Sequence, residues 1–281
     1  MAKCAPKPVW INLDYLSAEA WVSGCHALPS PHPQLALTKY FFFPGFTEET
    51  GGLLREGDLE ERRREFVTSA SARNQFFGAL DIPPSPPDTL QASLFSYENQ
   101  ALAELLSCWA NGERPIRCLT PLTHNRRLLE AFAGQTLDVG DSVQRGQLEI
   151  CIIPFIPQPE YDKLLWSCDV NFVRGEDSFV RAQWAAKPMV WQIYPQEENA
   201  HRAKLEAFLG TYCANLDERL ATTVQTLFKA WNGDSHLTKE SWEQWRGCLP
   251  ELQRQAEEWQ KKLIKQQDLC NRLVHFCRSK L

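Results

Sequence analysis

The feature that most constrains this chain is a regular alternation beyond residue 89. Apolar runs near 92–97, 115–119, 148–153, 169–173 and 188–193 are each followed by a stretch with helical periodicity. Those stretches are Asn99–Ala110, Thr123–Ala133, Pro159–Ser167, Ser178–Ala186 and Asn199–Leu216. Strands buried on both faces read as short unbroken apolar runs, and a right-handed crossover between parallel neighbours needs about a helix of intervening chain. The alternation predicts an α/β fold built on a doubly wound parallel sheet. Its ligands are expected beyond the carboxyl ends of the strands.

The segment IPPSPPD, Ile82 to Asp88, carries four prolines in six residues and breaks both helix and central strand. Residues 83–88 are therefore expected to link a first domain, 1–82, to a second, 89–237, with the helices of 238–281 packing back on the domains. Before the linker, Val9–Leu13 reads as a buried strand, LDYLSAEAWV as a short helix capped near Ser17, and Ser30–Pro33 as a loop. Lys39–Phe43 reads as an aromatic strand and the stretch through Phe66 and Phe76 as helix. The basic run Arg62–Arg64 sits among acidic residues on that helix, a pattern expected of a solvated face. Near the carboxyl end, Leu252, Ala256, Trp259, Leu263, Cys270, Val274 and Cys277 recur at helical intervals as one packing stripe.

Thirty basic against 35 acidic residues leave a net charge of −5, so bulk charge selects neither nucleic acid nor an anionic membrane as partner. The ten cysteines form no CxxC pair or CxxH spacing, so no metal site is expected. Scattered through apolar patterns, they read as reduced thiols of a cytoplasmic protein. No apolar run approaches the roughly 18–20 residues of a membrane span.

The chemistry concentrates in residues 169–201. Asp169–Val173 runs into an Arg174-Gly175 turn, and Glu176, Asp177 and Ser178 open the next helix. Backbone N–H groups at a helix start favour an anion, and a diphosphate fits there. Arg174 adds fixed charge, Gly175 permits close approach, and Ser178 adds a hydroxyl donor. Glu176 and Asp177 equally suit simple capping of the helix. Phe95, Tyr97 and Phe155, at other strand ends on the same face, are placed to stack on a base, with Gln158 to bond its edge.

RGEDSFVRAQWAAKPMVWQIYPQEENAH, with INLDYLSAEAWV, LTKYFFFPGFTEETGGLLRE, LFSYEN and IPFIPQPEYDKLLW, resembles the bacterial EarP family of elongation factor P arginine rhamnosyltransferases along nearly the whole chain. The resemblance implies a GT-B glycosyltransferase, here one complete Rossmann-like carboxyl-terminal domain and an incomplete amino-terminal one. It implies inverting, metal-independent transfer of rhamnose from dTDP-L-rhamnose to an arginine of elongation factor P. It places thymine and deoxyribose against Phe95, Tyr97, Phe155 and Gln158, with Tyr161 at an aromatic position of the family. Arg174, Gly175, Asp177 and Ser178 then surround the diphosphate. Glu176 matches a glutamate the family needs for activity, expected either to position the donor or to align the incoming guanidinium.

A guanidinium with a pKa above about 12 is a poor nucleophile until a carboxylate takes its proton. The family supplies such aspartates from an amino-terminal strand and loop that have no counterpart here, so the chain is expected to lack about the first hundred residues of the family pattern. Asp14 and Glu19 read as capping or surface groups. Two alternatives stand beside this reading: a nonenzymatic nucleotide-sugar-binding or interaction module, and a GT-B transferase of other specificity.

Overall fold

The computed structural model describes residues 8–196 and 200–281. Cys4 and the Asn199 start of one expected helix lie outside them. The chain divides into two compact units, one of residues 1–57, 195–214 and 261–281, the other of 58–194 and 215–260.

The larger unit carries a six-stranded sheet formed by β4 (Leu90–Leu94), β5 (Ile116–Pro121), β6 (Ser142–Arg145), β7 (Leu148–Ile153), β8 (Val170–Arg174) and β9 (Met189–Gln192). The order is β6-β7-β5-β4-β8-β9, with all neighbours parallel except the β6–β7 pair. All five expected strands are present, two to three residues out at some ends. The sixth, β6, was not legible because SVQR has one half-buried apolar residue and no alternating run. The crossover helices are α4 (Ala101–Ala110), α5 (Arg126–Ala133), α6 (Gln158–Ser167) and α7 (Asp177–Ala185). Ranked in chain order, the parallel strands run third, second, first, fourth, fifth across the sheet, the order of a doubly wound Rossmann-like sheet.

Burial on both faces explains the apolar runs: β5 is buried throughout and β7 at all but Glu149. Inside, Phe172 on β8 sits among Trp109, Trp231 and Trp242, with ring centroids 5.5, 5.0 and 6.4 Å away. Trp231 ends α9 (Glu218–Trp231) and Trp242 lies on α10 (Lys239–Gly247). A buried ion pair ties α6 to α7. Arg181 Nε donates to Asp162 Oδ1 at 2.7 Å, a second bond joins Nη2 to Oδ2, and the side chains are 1% and 2% exposed.

The division of the chain differs from the expected one at 83–88. Helices α2 (Leu59–Thr68) and α3 (Ala70–Ala79), expected with the first domain, belong to the larger unit. Phe66 packs against Trp166 of α6 at 5.7 Å, and Phe76 against Phe66 at 5.9 Å. The proline segment is held down: Arg117 Nη1 donates to Pro83 O at 2.7 Å and to Ser85 Oγ at 3.1 Å. The solvated face expected for Arg62–Arg64 is also corrected at Arg63. Its Nε donates to Ala185 O at 2.9 Å, placing a cation on the carboxyl end of α7.

In the smaller unit, β1 (Trp10–Leu13) runs parallel to the central β3 (Thr38–Phe42), and β2 (Pro29–Pro31) antiparallel to it. The expected loop at Ser30–Pro33 is thus partly an edge strand, where proline needs no ladder N–H. Nor is β1 a buried strand: with one neighbour in the sheet, Trp10 is 40% and Leu13 53% exposed. The short helix α1 starts later than expected, at Trp21, and ends at Cys25. Ser17 and Glu19 form a local turn before it, and Asp14 accepts from Tyr15 N.

The carboxyl-terminal stripe is also corrected. In α11 (Leu249–Ile264), Leu252, Ala256, Trp259 and Leu263 are buried. α12 (Leu269–Arg278) has no buried residue, because residues 265–268 break the helix and reset its phase. It is anchored by Arg272, whose Nη1 donates to Glu48 O and Thr50 O, both at 2.6 Å, and by Phe276, which packs on Tyr40 at 5.2 Å and Phe42 at 5.6 Å. The nine described cysteines are all free, and no described helix is long and apolar enough to cross a membrane.

Candidate functional site

The carboxyl ends of β4, β5, β7 and β8 open onto a cleft of about 420 Å³. It lies between β4 and β8, where the chain, having built outward from β4 through β5 to β7, crosses back through α6 to β8 on the other side of β4, the switch point at which such sheets bind ligands. All ten residues singled out from the sequence line it: Phe95, Tyr97, Phe155, Gln158, Tyr161, Arg174, Gly175, Glu176, Asp177 and Ser178.

The floor is the turn between β8 and α7. Gly175 has φ of +60°, a left-handed conformation that costs a residue with Cβ. Space matters there too, since a Cβ at Gly175 would lie 2.5 Å from Tyr97 Oη. The first helical bond of α7 runs from Val180 N to Glu176 O at 2.8 Å, so the N–H groups before it leave the helix's own ladder and point from its positive end. Glu176 occupies the N-cap position, and its side chain makes no capping bond. Capping does not account for its carboxylate. Asp177 Oδ1 accepts from Gln158 Nε2 at 3.4 Å, which brings the first residues of α6 and α7 together.

The geometry adds detail at three of these residues. The Ser178 hydroxyl accepts from Arg174 N at 3.1 Å and donates to Arg174 O. Its proton staples the turn. The Arg174 guanidinium lies 4.2 Å from the Phe95 ring centroid and 4.6 Å from that of Tyr97, so both rings offer one face to a cation. Phe155, 69% exposed at the mouth, keeps the openly accessible ring. Tyr161 makes its contribution by packing on Phe95 at 6.0 Å, and burial pushes its phenol well above the usual range. Tyr97 is also shifted up, by burial partly countered by Arg174.

Several residues that shape the cleft had no motif to reveal them. Asn125 Nδ2 donates to Ser96 Oγ at 2.7 Å and Tyr97 O at 2.9 Å, pinning the loop after β4. Gln192 Oε1 accepts from Tyr97 N at 2.8 Å. Trp191 stacks on Phe179 with centroids 3.9 Å apart, and its indole donates to Gly175 O at 2.8 Å. Among the described residues, no group of three or more His, Cys, Asp or Glu side chains is arranged to hold a metal ion.

Comparison with known proteins identifies the family. Residues 1–278 match the family described as Elongation-Factor P (EF-P) rhamnosyltransferase EarP. That match runs along nearly the whole of this chain and does not bear out the expected loss of about a hundred residues. The protein-arginine rhamnosyltransferase of Pseudomonas putida is 48% identical over 275 residues, covering 98% of this chain and 72% of the relative. That of Pseudomonas aeruginosa is 47% identical over 272 residues, covering 95% and 71%. A solved structure showing the basis of EarP-mediated arginine glycosylation of translation elongation factor EF-P superposes with a TM-score of 0.79 at 42% identity, covering 86% of this chain and 76% of that one. The α/β fold is therefore that of a GT-B glycosyltransferase. With a family match along 278 residues and relatives nearly half identical, the chain belongs to the EarP family of protein-arginine rhamnosyltransferases.

Proposed function

We propose that the cleft binds dTDP-L-rhamnose and that the protein transfers its rhamnose, with inversion and without a metal, to an arginine side chain of elongation factor P in the cytoplasm. One observation carries the donor site: the Arg174–Ser178 turn, the α7 amino end and the aromatic residues Phe95, Tyr97 and Phe155 meet in a single cleft at the switch point. In this reading the base and deoxyribose contact Phe155, Phe95 and Tyr97, with Gln158 at the base edge and Tyr161 behind Phe95. The diphosphate lies over Gly175 toward the start of α7, between the Arg174 guanidinium and the helix N–H groups.

As the sugar–oxygen bond breaks, negative charge grows on the departing diphosphate. The positive end of α7 and Arg174 stabilise that charge where it develops. The acceptor nitrogen must give up a proton to a carboxylate base as it attacks. Glu176, in the cleft lining beside this turn, acts by orienting the donor or the incoming guanidinium.

Calorimetry with dTDP-L-rhamnose and UDP-glucose tests the donor, and preference for the latter removes rhamnose from the proposal. Mass spectrometry of elongation factor P tests transfer. Glu176→Ala is expected to abolish the rhamnose mass increment while leaving the thermal melt unchanged, and full transfer by that variant strikes Glu176 from the site. Donor binding with no transfer by the unaltered chain favours a binding module.

A further inference from the structure

We propose that Gln192 is a positioning residue for donor binding, setting the separation of the Tyr97 loop from the Gly175 turn without lining the cleft itself. The inference rests on the nucleotide reading of the cleft. Gln192 ends β9, is 5% exposed, and is not among the described lining residues. Three of its groups reach the two walls. Its Oε1 accepts from Tyr97 N at 2.8 Å, its Nε2 donates to Glu98 O at 3.3 Å, and its backbone carbonyl accepts from Gly175 N at 3.2 Å.

The topology makes this span unusual. Tyr97 follows β4, and the order β4-β8-β9 places β8 between that strand and Gln192. The loop after β4 therefore crosses the end of β8, directly above the turn that β8 feeds, before it meets Gln192. The same side chain fixes loop height and, through its carbonyl, the turn beneath. The clearance is small: a Cβ on Gly175 would reach to 2.5 Å of Tyr97 Oη. A buried amide with both ends bonded to main chain is well suited to hold such a distance, since losing it frees a part-buried N–H and a carbonyl at once.

The test uses the full chain with Gln192→Met, which keeps the volume and removes both side-chain bonds, and Gln192→Glu, which keeps an oxygen facing Tyr97 N. Amide exchange at Tyr97 and calorimetric affinity for dTDP are read together with the thermal melt. Gln192→Met is expected to speed Tyr97 amide exchange at least tenfold and to weaken dTDP about tenfold, with exchange in β5 and β7 unchanged. Gln192→Glu is expected to restore both to within about threefold. Unchanged exchange at Tyr97 in Gln192→Met overturns the proposal, as does uniform loss of protection across the sheet, which marks a purely structural role. Unchanged dTDP affinity despite faster exchange also overturns it. If the unaltered protein does not bind dTDP, the nucleotide reading fails and the donor role of Gln192 falls with it, while Tyr97 exchange still reports whether Gln192 holds the loop.

Discussion

Replacing Gly175 with alanine tests the cleft at its tightest point, and the expected cost separates into two parts. With φ of +60°, an alanine there is in the left-handed region at about 1–2 kcal/mol, of which the stiffer unfolded chain returns part. The second part is contact. The new Cβ would lie 2.5 Å from Tyr97 Oη but 3.6 Å from Tyr97 Cζ. Only the hydroxyl clashes. To clear it, Tyr97 must leave its place 4.6 Å from Arg174 and 5.4 Å from Tyr194. That forfeits a cation–π contact of about 0.5–1 kcal/mol and an edge-to-face pair of about the same size. Tyr97→Phe removes the clashing atom and keeps the ring. Gly175→Ala is therefore expected to cost about 2–3 kcal/mol beside tyrosine and about 1 kcal/mol beside phenylalanine. Urea unfolding of the four proteins of the cycle measures the coupling, expected at about 1–2 kcal/mol. Additivity within about 0.5 kcal/mol refutes the geometry of the turn, because the two walls are then not in contact.

Asp162→Ala leaves the Arg181 guanidinium buried without its carboxylate and is expected to cost about 3–5 kcal/mol by urea unfolding; an Asp162→Leu, Arg181→Met double variant should recover most of it, and an equal loss in both refutes an electrostatic origin. His26 gives a pH signature: its Nδ1 accepts from Phe43 N at 3.1 Å, and burial, then Arg272, hold its pKa below 6.5. The unfolded chain takes up the proton first as pH falls through about 6.5, so stability is full above that value and declines below it. His26→Gln should flatten the decline between pH 7.5 and 5.5, and an unaltered slope refutes the assignment.

The parts of this fold legible in the sequence are those whose physics is local. A strand covered on both faces must be apolar at successive positions, so LEICIIPF and VNFV announce themselves. The Arg174–Ser178 turn was legible for a related reason: glycine, a flanking arginine and acidic helix starters are contiguous, and each answers to the backbone of that one turn. Where the sequence reading went astray, the deciding contact was remote. Four prolines predicted an interdomain linker, yet Arg117, more than 30 residues on, donates to Pro83 O and Ser85 Oγ. Arg63 looked like one charge among many until α7 placed Ala185 O within 2.9 Å. Periodicity carried the stripe past Leu263 because spacing alone does not register the break before α12.

The same distinction explains why the lining of the cleft was easier to find than its supports. A lining residue meets a ligand, and ligand chemistry narrows the side chain to an aromatic, an arginine or a glycine. A supporting residue meets main chain, which every position offers, so Asn125 bonding Tyr97 O and Gln192 bonding Tyr97 N leave no pattern of type or spacing. Yet those bonds fix where Tyr97 stands, and its position determines the room above Gly175. Arg174 adds to the constraint, for its guanidinium is held between Phe95 and Tyr97 rather than extended over the turn. A diphosphate drawing it toward α7 would uncover the two ring faces for a base. In the proposed donor complex, base and phosphate recognition would thus be joined through one side chain, giving the Arg174–Ser178 segment an influence on the nucleoside end of the cleft as well as on the leaving group.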